Sequence, residues 1–319
     1  MSVETSHDLG TGITCIDASY VRPGLACFYV LENDGQCAII ETGTAHSVTN
    51  LLQVLQEKGL AYEQVRYVIP THVHLDHAGG AGAMMALFPN AELLIHPRGA
   101  RHMVSPQRLV ESSIAVYGET LFNELYGEIT PVEEARVRTV EDDEVVKLNS
   151  RELVFRHTRG HADHHFCLWD ALSEGWFTGD MFGISYPWFR FDAGALVIPA
   201  TTPTQFDPDA YIASLELLAS YQPQRMYLTH YGQLEYSSAH LTALVRQVRR
   251  YGELAQQHSD EAGLNKALSA YSLGLLRAFA PQANDDTLLP MLSLDMDLNT
   301  QGLLVWRQRM EHSAGNNRI

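Results

Sequence analysis

The sequence is short of cysteine, of positive charge and of long apolar runs, and each shortage removes a class of protein. Only four cysteines occur in 319 residues (Cys15, Cys27, Cys37 and Cys167), and none has CxxC spacing. Three of them sit in strand-like segments, where a reduced, buried thiol is the expectation. Lys and Arg number 22 against 38 Asp and Glu, a formal charge of −16. Such a field repels a polyphosphate backbone, so no nucleic-acid partner is expected. The longest apolar stretches, such as residues 81–88, fall well short of the roughly 20 residues that cross a bilayer, so no membrane span is expected. The amino-terminal MSVETSHDLG lacks the basic and apolar regions of a leader, which makes the expected location cytoplasmic. Low-complexity tracts and solenoid repeats are also missing. With 45% apolar and 19% charged residues, the chain has the composition of a protein folded throughout.

The apolar pattern divides the chain in two. Leu25–Leu31 and Gln36–Ile40 flank Asn33-Asp34-Gly35, whose Asp-Gly step signals a hairpin. Val48, Leu51, Leu52 and Leu55 then recur at helical spacing until Gly59, ahead of a strand at Val65–Ile69. A helix from His77 to about Leu87, a strand at Glu92–Ile95 and a partly helical stretch from Pro97 to Tyr126 follow. A second β series runs through Val145–Leu148, Glu152–Arg156, Phe166–Trp169 and Gly175–Thr178, then a helix near Asp209–Ser220 and a strand at Arg225–Leu228. From His240 the pattern is helical. The expectation is an α/β domain over residues 1–238 and a helical carboxyl-terminal region over 239–319, serving as lid, binding element or homodimer interface.

Seven of the fifteen histidines fall in three short segments: Thr71-His72-Val73-His74-Leu75-Asp76-His77, Gly160-His161-Ala162-Asp163-His164-His165 and Thr229-His230-Tyr231. Imidazole and carboxylate together are ligands for zinc and suit iron as well. Each segment follows an apolar strand, and a fourth strand, Trp176-Phe177-Thr178, ends in Gly179-Asp180. Sites in α/β sheets gather beyond the carboxyl ends of strands, so the four segments can deliver their side chains to one edge. Gly79 and Gly80 allow close approach behind them.

HxHxDH followed by single His, Asp and His positions resembles the metallo-β-lactamase superfamily, over about residues 13–238. The resemblance implies a four-layer αβ/βα sandwich and a dinuclear centre. His72, His74 and His161 would hold one ion, Asp76, His77 and His230 the other, and Asp180 would bridge them. Two divalent ions, zinc foremost with iron or manganese as alternatives, would then hydrolyse a small ester, thioester or lactone through a shared hydroxide that Asp76 orients or relieves of its proton. Three positions depart from the family pattern. Glu41-Thr42-Gly43 carries Glu where the family has Asp, Arg159 stands where Pro is common, and His74 stands where the oxygen-reducing flavodiiron branch has Glu. No departure removes a ligand. The negative charge weighs against the nuclease members, and Arg246, Arg249 and Arg250 read as a solvated helix face.

Substrate residues are harder to read. Tyr186 and Arg190, in the aromatic stretch after Asp180, are candidates for an oxyanion donor and an anion grip, and the alternative is a loop that packs its aromatics. Tyr231 is a weaker candidate. His164 and His165 either take part directly or hydrogen-bond to ligands, with His165 at a position often polar in glyoxalase II-like members. His96, His102, His157 and His240 read as structural or surface residues. The helical end resembles glyoxalase II in architecture alone. An iron protein with redox or oxygen chemistry, and a ligand-binding regulatory module, are the competing functional classes.

Overall fold

The computed structural model describes residues 4–201 and 204–316, so three residues of the amino-terminal stretch considered above lie outside it. Its described residues divide by contact into two units. One holds residues up to 157 with 164–179 and 223–236, and the other holds 158–163, 180–222 and 237 onward.

Both large sheets belong to the first unit. The first sheet runs β1 (Ser6–Asp8), β2 (Ile13–Asp17), β3 (Cys27–Asn33), β4 (Gln36–Ile40), β5 (Val65–Ile69), β6 (Glu92–Ile95) and β7 (Val137–Thr139), in chain order. Between β3 and β4, Asp34 and Gly35 take φ of 47° and 78°, the paired positive values that let a two-residue turn follow the strand twist. From β4 onward the pairing is parallel, which demands crossovers. Helix α1 (Val48–Lys58) makes the first. Its Leu51, Val54 and Leu55 are buried, and Gly59 ends it at φ 67° with its amide on the carbonyls of Leu55 and Gln56.

The helix expected over 77–87 forms as two pieces, α2 (Leu75–Ala78) and α3 (Ala81–Leu87). The break has a local cause: the Gly80 amide donates to the Gly43 carbonyl and the Thr42 hydroxyl, and a Cβ at Gly80 would lie 2.6 Å from the Thr42 carbonyl oxygen. Helices α4 (Ala100–Val104), α5 (Gln107–Tyr117) and α6 (Glu119–Tyr126) make the last crossover. One face of the sheet, including Phe28, Val30, Ile39 and Val68, joins Leu51, Leu55, Met84 and Phe88 of the helices in a dry core.

The second sheet contains β8 (Val145–Leu148), β9 (Arg151–His157), β10 (Phe166–Asp170) and β11 (Gly175–Gly179). After the short pair β12 (Arg190–Phe191) and β13 (Gly194–Ala195) of the other unit, it is completed by β14 (Arg225–Leu228) and β15 (Gly232–Glu235), in the order β15-β14-β11-β10-β9-β8. The two sheets meet through Tyr29, whose hydroxyl donates to the Leu228 carbonyl at 2.5 Å and whose ring lies 5.1 Å from Phe177. Arg151 and Asp170, both fully buried, pair through Nε at 2.8 Å, and the same guanidinium donates to the Thr11 carbonyl. Two mixed sheets flanked by helices, with helices at the carboxyl end, are the fold class the sequence leads one to expect.

The second unit holds α7 (Pro208–Ser220), α8 (Ser238–Gln257), α9 (Glu261–Phe279) and α10 (Asp285–Asn316). Asp207, Ser237 and Asp260 cap the first three by accepting a backbone amide three residues on. Its core includes Leu244, Tyr251, Leu264, Leu268 and Leu303. No helix among the described residues is long and apolar enough to cross a membrane.

Candidate metal centre

Parallel pairing of β4 with β5, and of β11 with β14, sends the carboxyl ends of each pair in one direction. The chain leaves β5 through Pro70 and Thr71, passes His72 and reaches His74, which precedes α2 in an extended conformation (φ −62°, ψ 145°). Asp76 and His77 then lie in the single turn of α2. His230 follows β14 by two residues. The first unit thus brings together five of the seven expected ligands: His72, His74, Asp76, His77 and His230.

Ligand atoms of Asp76, His77 and His230 lie within 4.8 Å of one another. The imidazoles are held from behind. His230 Nδ1 donates to the Leu25 carbonyl at 2.7 Å, and His77 Nδ1 donates to Glu41 Oε1 at 3.0 Å. Both contacts put the proton on Nδ1 and the lone pair on Nε2, the tautomer a metal needs. The Nε2 atoms face Asp76 Oδ2 at 3.3 Å from His230 and 3.8 Å from His77. His72 is oriented through one intermediate: Thr71 gives its only hydroxyl proton to Glu41 Oε1 at 2.6 Å, so it accepts from His72 Nδ1 at 3.0 Å. Nε2 of His72 then meets Nδ1 of His74 at 2.8 Å.

Glu41 is 1% exposed and sits at φ 64°, in the left-handed region. Its carboxylate accepts from the Thr71 amide and hydroxyl, His77 Nδ1 and the Thr229 hydroxyl. Three of these donors converge on Oε1 and one on Oε2, and the carboxylate also lies within ligand distance of His72 and His77. Glu41 therefore orients ligands. The sequence carries a signal for this, since a Thr precedes both His72 and His230.

His161 and Asp180 lie in the second unit and face each other, with Nε2 to Oδ2 at 3.3 Å. His161 Nδ1 donates to the Ala200 carbonyl at 3.1 Å, again leaving the lone pair on Nε2. Gly160 makes the approach feasible: at φ 124°, its absent Cβ would lie 2.3 Å from the Tyr211 backbone nitrogen. The Tyr211 hydroxyl donates to the Asp180 carbonyl at 2.8 Å.

The remaining candidates fall as follows. His165 is fully buried, its ring 4.9 Å from that of His72, while the half-buried His164 stacks at 6.1 Å from the same ring. His96 and His157 stack on each other at 4.0 Å. Tyr186 is buried, donates its hydroxyl to Asp295 Oδ1 at 2.8 Å and packs against Trp188 and Phe189. That is the packed-aromatic alternative. Arg190 is exposed on β12, and Tyr231 is buried in the first unit. Burial foremost raises the phenols of Tyr20 and Tyr126, which the sequence does not single out, and the Asp76 charge adds to it. Within the first unit, His72, His77 and His230, each held through Nδ1, and the Asp76 carboxylate form a donor set that fits divalent zinc, iron or manganese.

The family profile described as metallo-beta-lactamase superfamily matches residues 22–230. An archaeal metallo-beta-lactamase superfamily protein from Sulfolobus tokodaii superposes with TM-score 0.65 at 21% identity, covering 92% of this chain and 98% of its own. A metallo-beta-lactamase family protein from Thermus thermophilus gives 0.67 at 18% identity, covering 95% of each. A chemotaxis sensor solved with a peroxy diiron species gives 0.53 at 12% identity, covering 75% of this chain and 93% of the sensor. At these identities the structures show a shared fold, and it is the profile over residues 22–230, which contains every one of the seven positions, that makes the chain a member of the metallo-beta-lactamase superfamily.

Proposed function

We propose that the chain is a dinuclear hydrolase, with zinc as its metal and a small ester, thioester or lactone as its substrate. The observation that carries this reading is the arrangement of Asp76, His77 and His230, in which two imidazoles fixed by Glu41 and Leu25 aim Nε2 at one carboxylate oxygen. Asp76, His77 and His230 would hold one ion and His72 and His74 would offer ligands to another, and the resemblance adds His161 and Asp180 to the set. When bound, such ions lower the pKa of water toward neutrality and polarise a carbonyl oxygen.

The chain's own residues do the rest. Glu41 fixes the tautomers of His72 and His77, so those ligands need no reordering when an ion enters. Asp76 is 21% exposed beside the wholly buried His77, so its carboxylate is open to solvent and substrate. It orients the attacking water and takes its proton. Tyr186 has no part in this reading, because its hydroxyl is given to Asp295. The −16 charge favours a neutral or modestly charged substrate over a polyanion.

Elemental analysis of protein purified without added metal or chelator, followed by an ester, thioester and lactone panel, tests the proposal. Two zinc ions per chain and turnover of one class are expected. Two irons with visible absorption would replace the hydrolase with an oxygen- or redox-active protein, and failure to hold any metal would overturn both. Asp76→Asn should cut kcat by about 10²–10⁴, and an enzyme that kept full activity and metal content would remove Asp76 from the mechanism.

A further inference from the structure

Arg246, Arg249 and Arg250 stand on adjacent turns of α8, and the fold does not leave them on a plain solvated face. Thr242, Val245, Arg246, Arg249 and Glu253 recur at three- and four-residue spacing, so one stripe of α8 lines an open cleft of about 830 Å³. The opposite stripe, with Leu244, Val248 and Tyr251, is buried in the core of the second unit. Glu216 of α7 and Tyr271 and Leu275 of α9 also line the cleft, which therefore lies wholly within that unit and includes none of the seven expected ligands.

The protein leaves the positive charge of this cleft unmatched. Among the described residues, Arg250 pairs with Glu253 at 2.8 Å, while Arg246 and Arg249 are in no ion pair. In a chain with 38 acidic residues against 22 basic ones, partners for two exposed guanidiniums are plentiful, yet none is placed here. Like charges at this spacing repel each other, so an incoming anion relieves the pair. Burial foremost raises the Tyr271 phenol and the Arg246 charge opposes it, which leaves the hydroxyl a protonated donor at neutral pH. Leu241, Val245 and Leu275, each partly buried, give the cleft an apolar wall.

We propose that the cleft binds a small organic phosphate with an apolar or aromatic body, at a site that does not depend on the hydrolase reading. A guanidinium is a planar fork that meets phosphate oxygens in pairs. A phosphomonoester brings a charge of about −1.5 to −2 and three acceptor oxygens, which match Arg246, Arg249 and the Tyr271 hydroxyl. A carboxylate brings one charge and two oxygens. Glu216 sharpens that preference, because its own charge offsets part of the arginine field and leaves a singly charged ligand little gain. The volume leaves room beyond the phosphate for a ring against Leu241, Val245 and Leu275.

Calorimetric titration of inorganic phosphate, phenylphosphonate and benzoate into the zinc-supplied full chain and its Arg246→Gln, Arg249→Gln and Glu216→Gln variants tests the site. Phenylphosphonate is expected to bind at least about tenfold tighter than inorganic phosphate, which lacks the ring, and than benzoate, which lacks the second charge. Each arginine variant should weaken phenylphosphonate by about tenfold or more while keeping the zinc content and the thermal midpoint, since both side chains are exposed, and Glu216→Gln should tighten it. Unchanged affinity in both arginine variants overturns the site and assigns the anion to the metal centre or another surface. Equal affinity for phosphate and phenylphosphonate overturns the organic body, and no binding at all overturns the whole proposal. Arginine variants that alter sedimentation of the chain while phenylphosphonate affinity stays the same would give the cleft to a second copy and overturn the ligand. Turnover on the ester, thioester and lactone panel, or its failure, leaves these affinities as they are, so the two readings fail separately.

Discussion

Glu41 concentrates more of the centre's geometry than any one ligand does. One carboxylate takes four hydrogen bonds from Thr71, His77 and Thr229, and through Thr71 it also fixes His72. Glu41→Gln preserves volume but turns one acceptor oxygen into a donating amide that faces other donors, leaving buried groups unsatisfied. Zinc affinity should fall by about 10–100-fold with the fold retained, as competition against a chromogenic chelator would measure. Wild-type affinity in the variant would mean that the imidazoles are set by packing alone. The HxHxDH run was legible because its residues are close in sequence and follow a strand. Glu41 was legible as a departure that leaves every ligand in place, but the partners through which it acts were not, since its donors lie 30, 36 and 188 positions away.

Elements were legible where periodicity decides them and less so where a neighbour decides them. The strands Val65–Ile69, Glu92–Ile95, Val145–Leu148 and Arg225–Leu228 form over the expected residues because each is a short apolar run closed by turn residues. The break between α2 and α3 depends on Gly43 and Thr42, which no local pattern includes. Gly82, inside α3, follows the same logic. Alanine is the better helix former by about 1 kcal/mol, yet a Cβ there would lie 1.8 Å from the Thr130 carbonyl oxygen. Gly82→Ala should therefore destabilise, by about 1–3 kcal/mol as the backbone shifts. Gly274, within α9, has nothing within 4 Å of its Cβ position, so Gly274→Ala should stabilise by about 0.5–1 kcal/mol. Urea midpoints of the two variants should move in opposite directions. Equal shifts would show that helix propensity, not the Thr130 contact, governs position 82.

At the scale of the molecule, composition marks where the chain becomes helical, but it does not mark the two contact units. Residues 158–163 and 180–222 lie among strand segments in sequence and group with the carboxyl-terminal helices in space. Compactness depends on which distant segments touch, and a composition profile carries no such information. What composition does show, an excess of acid, combines with burial to set the pH range of stability. Burial and then the Glu32 carboxylate push the Cys37 thiol up to about 12, and burial raises the phenols of Tyr20, Tyr29, Tyr126, Tyr231 and Tyr251. Unfolded, the thiol ionises near 9.0 and the phenols near 10.0. Above those values the unfolded chain gives up protons that the folded one keeps, so stability is complete below about pH 9 and declines as pH rises through the folded values. Each such group contributes about 1.4 kcal/mol per pH unit over its window. Ionisation also adds negative charge to a chain already at −16, so self-repulsion acts in the same direction. Urea midpoints followed by circular dichroism should stay level from about pH 7 to 8.5 and fall steeply above about pH 10. Cys37→Ala should shift the onset from near the thiol value toward the phenol value. A midpoint that held steady to about pH 11 would mean that the buried hydroxyls and thiol lose their protons without unfolding the chain.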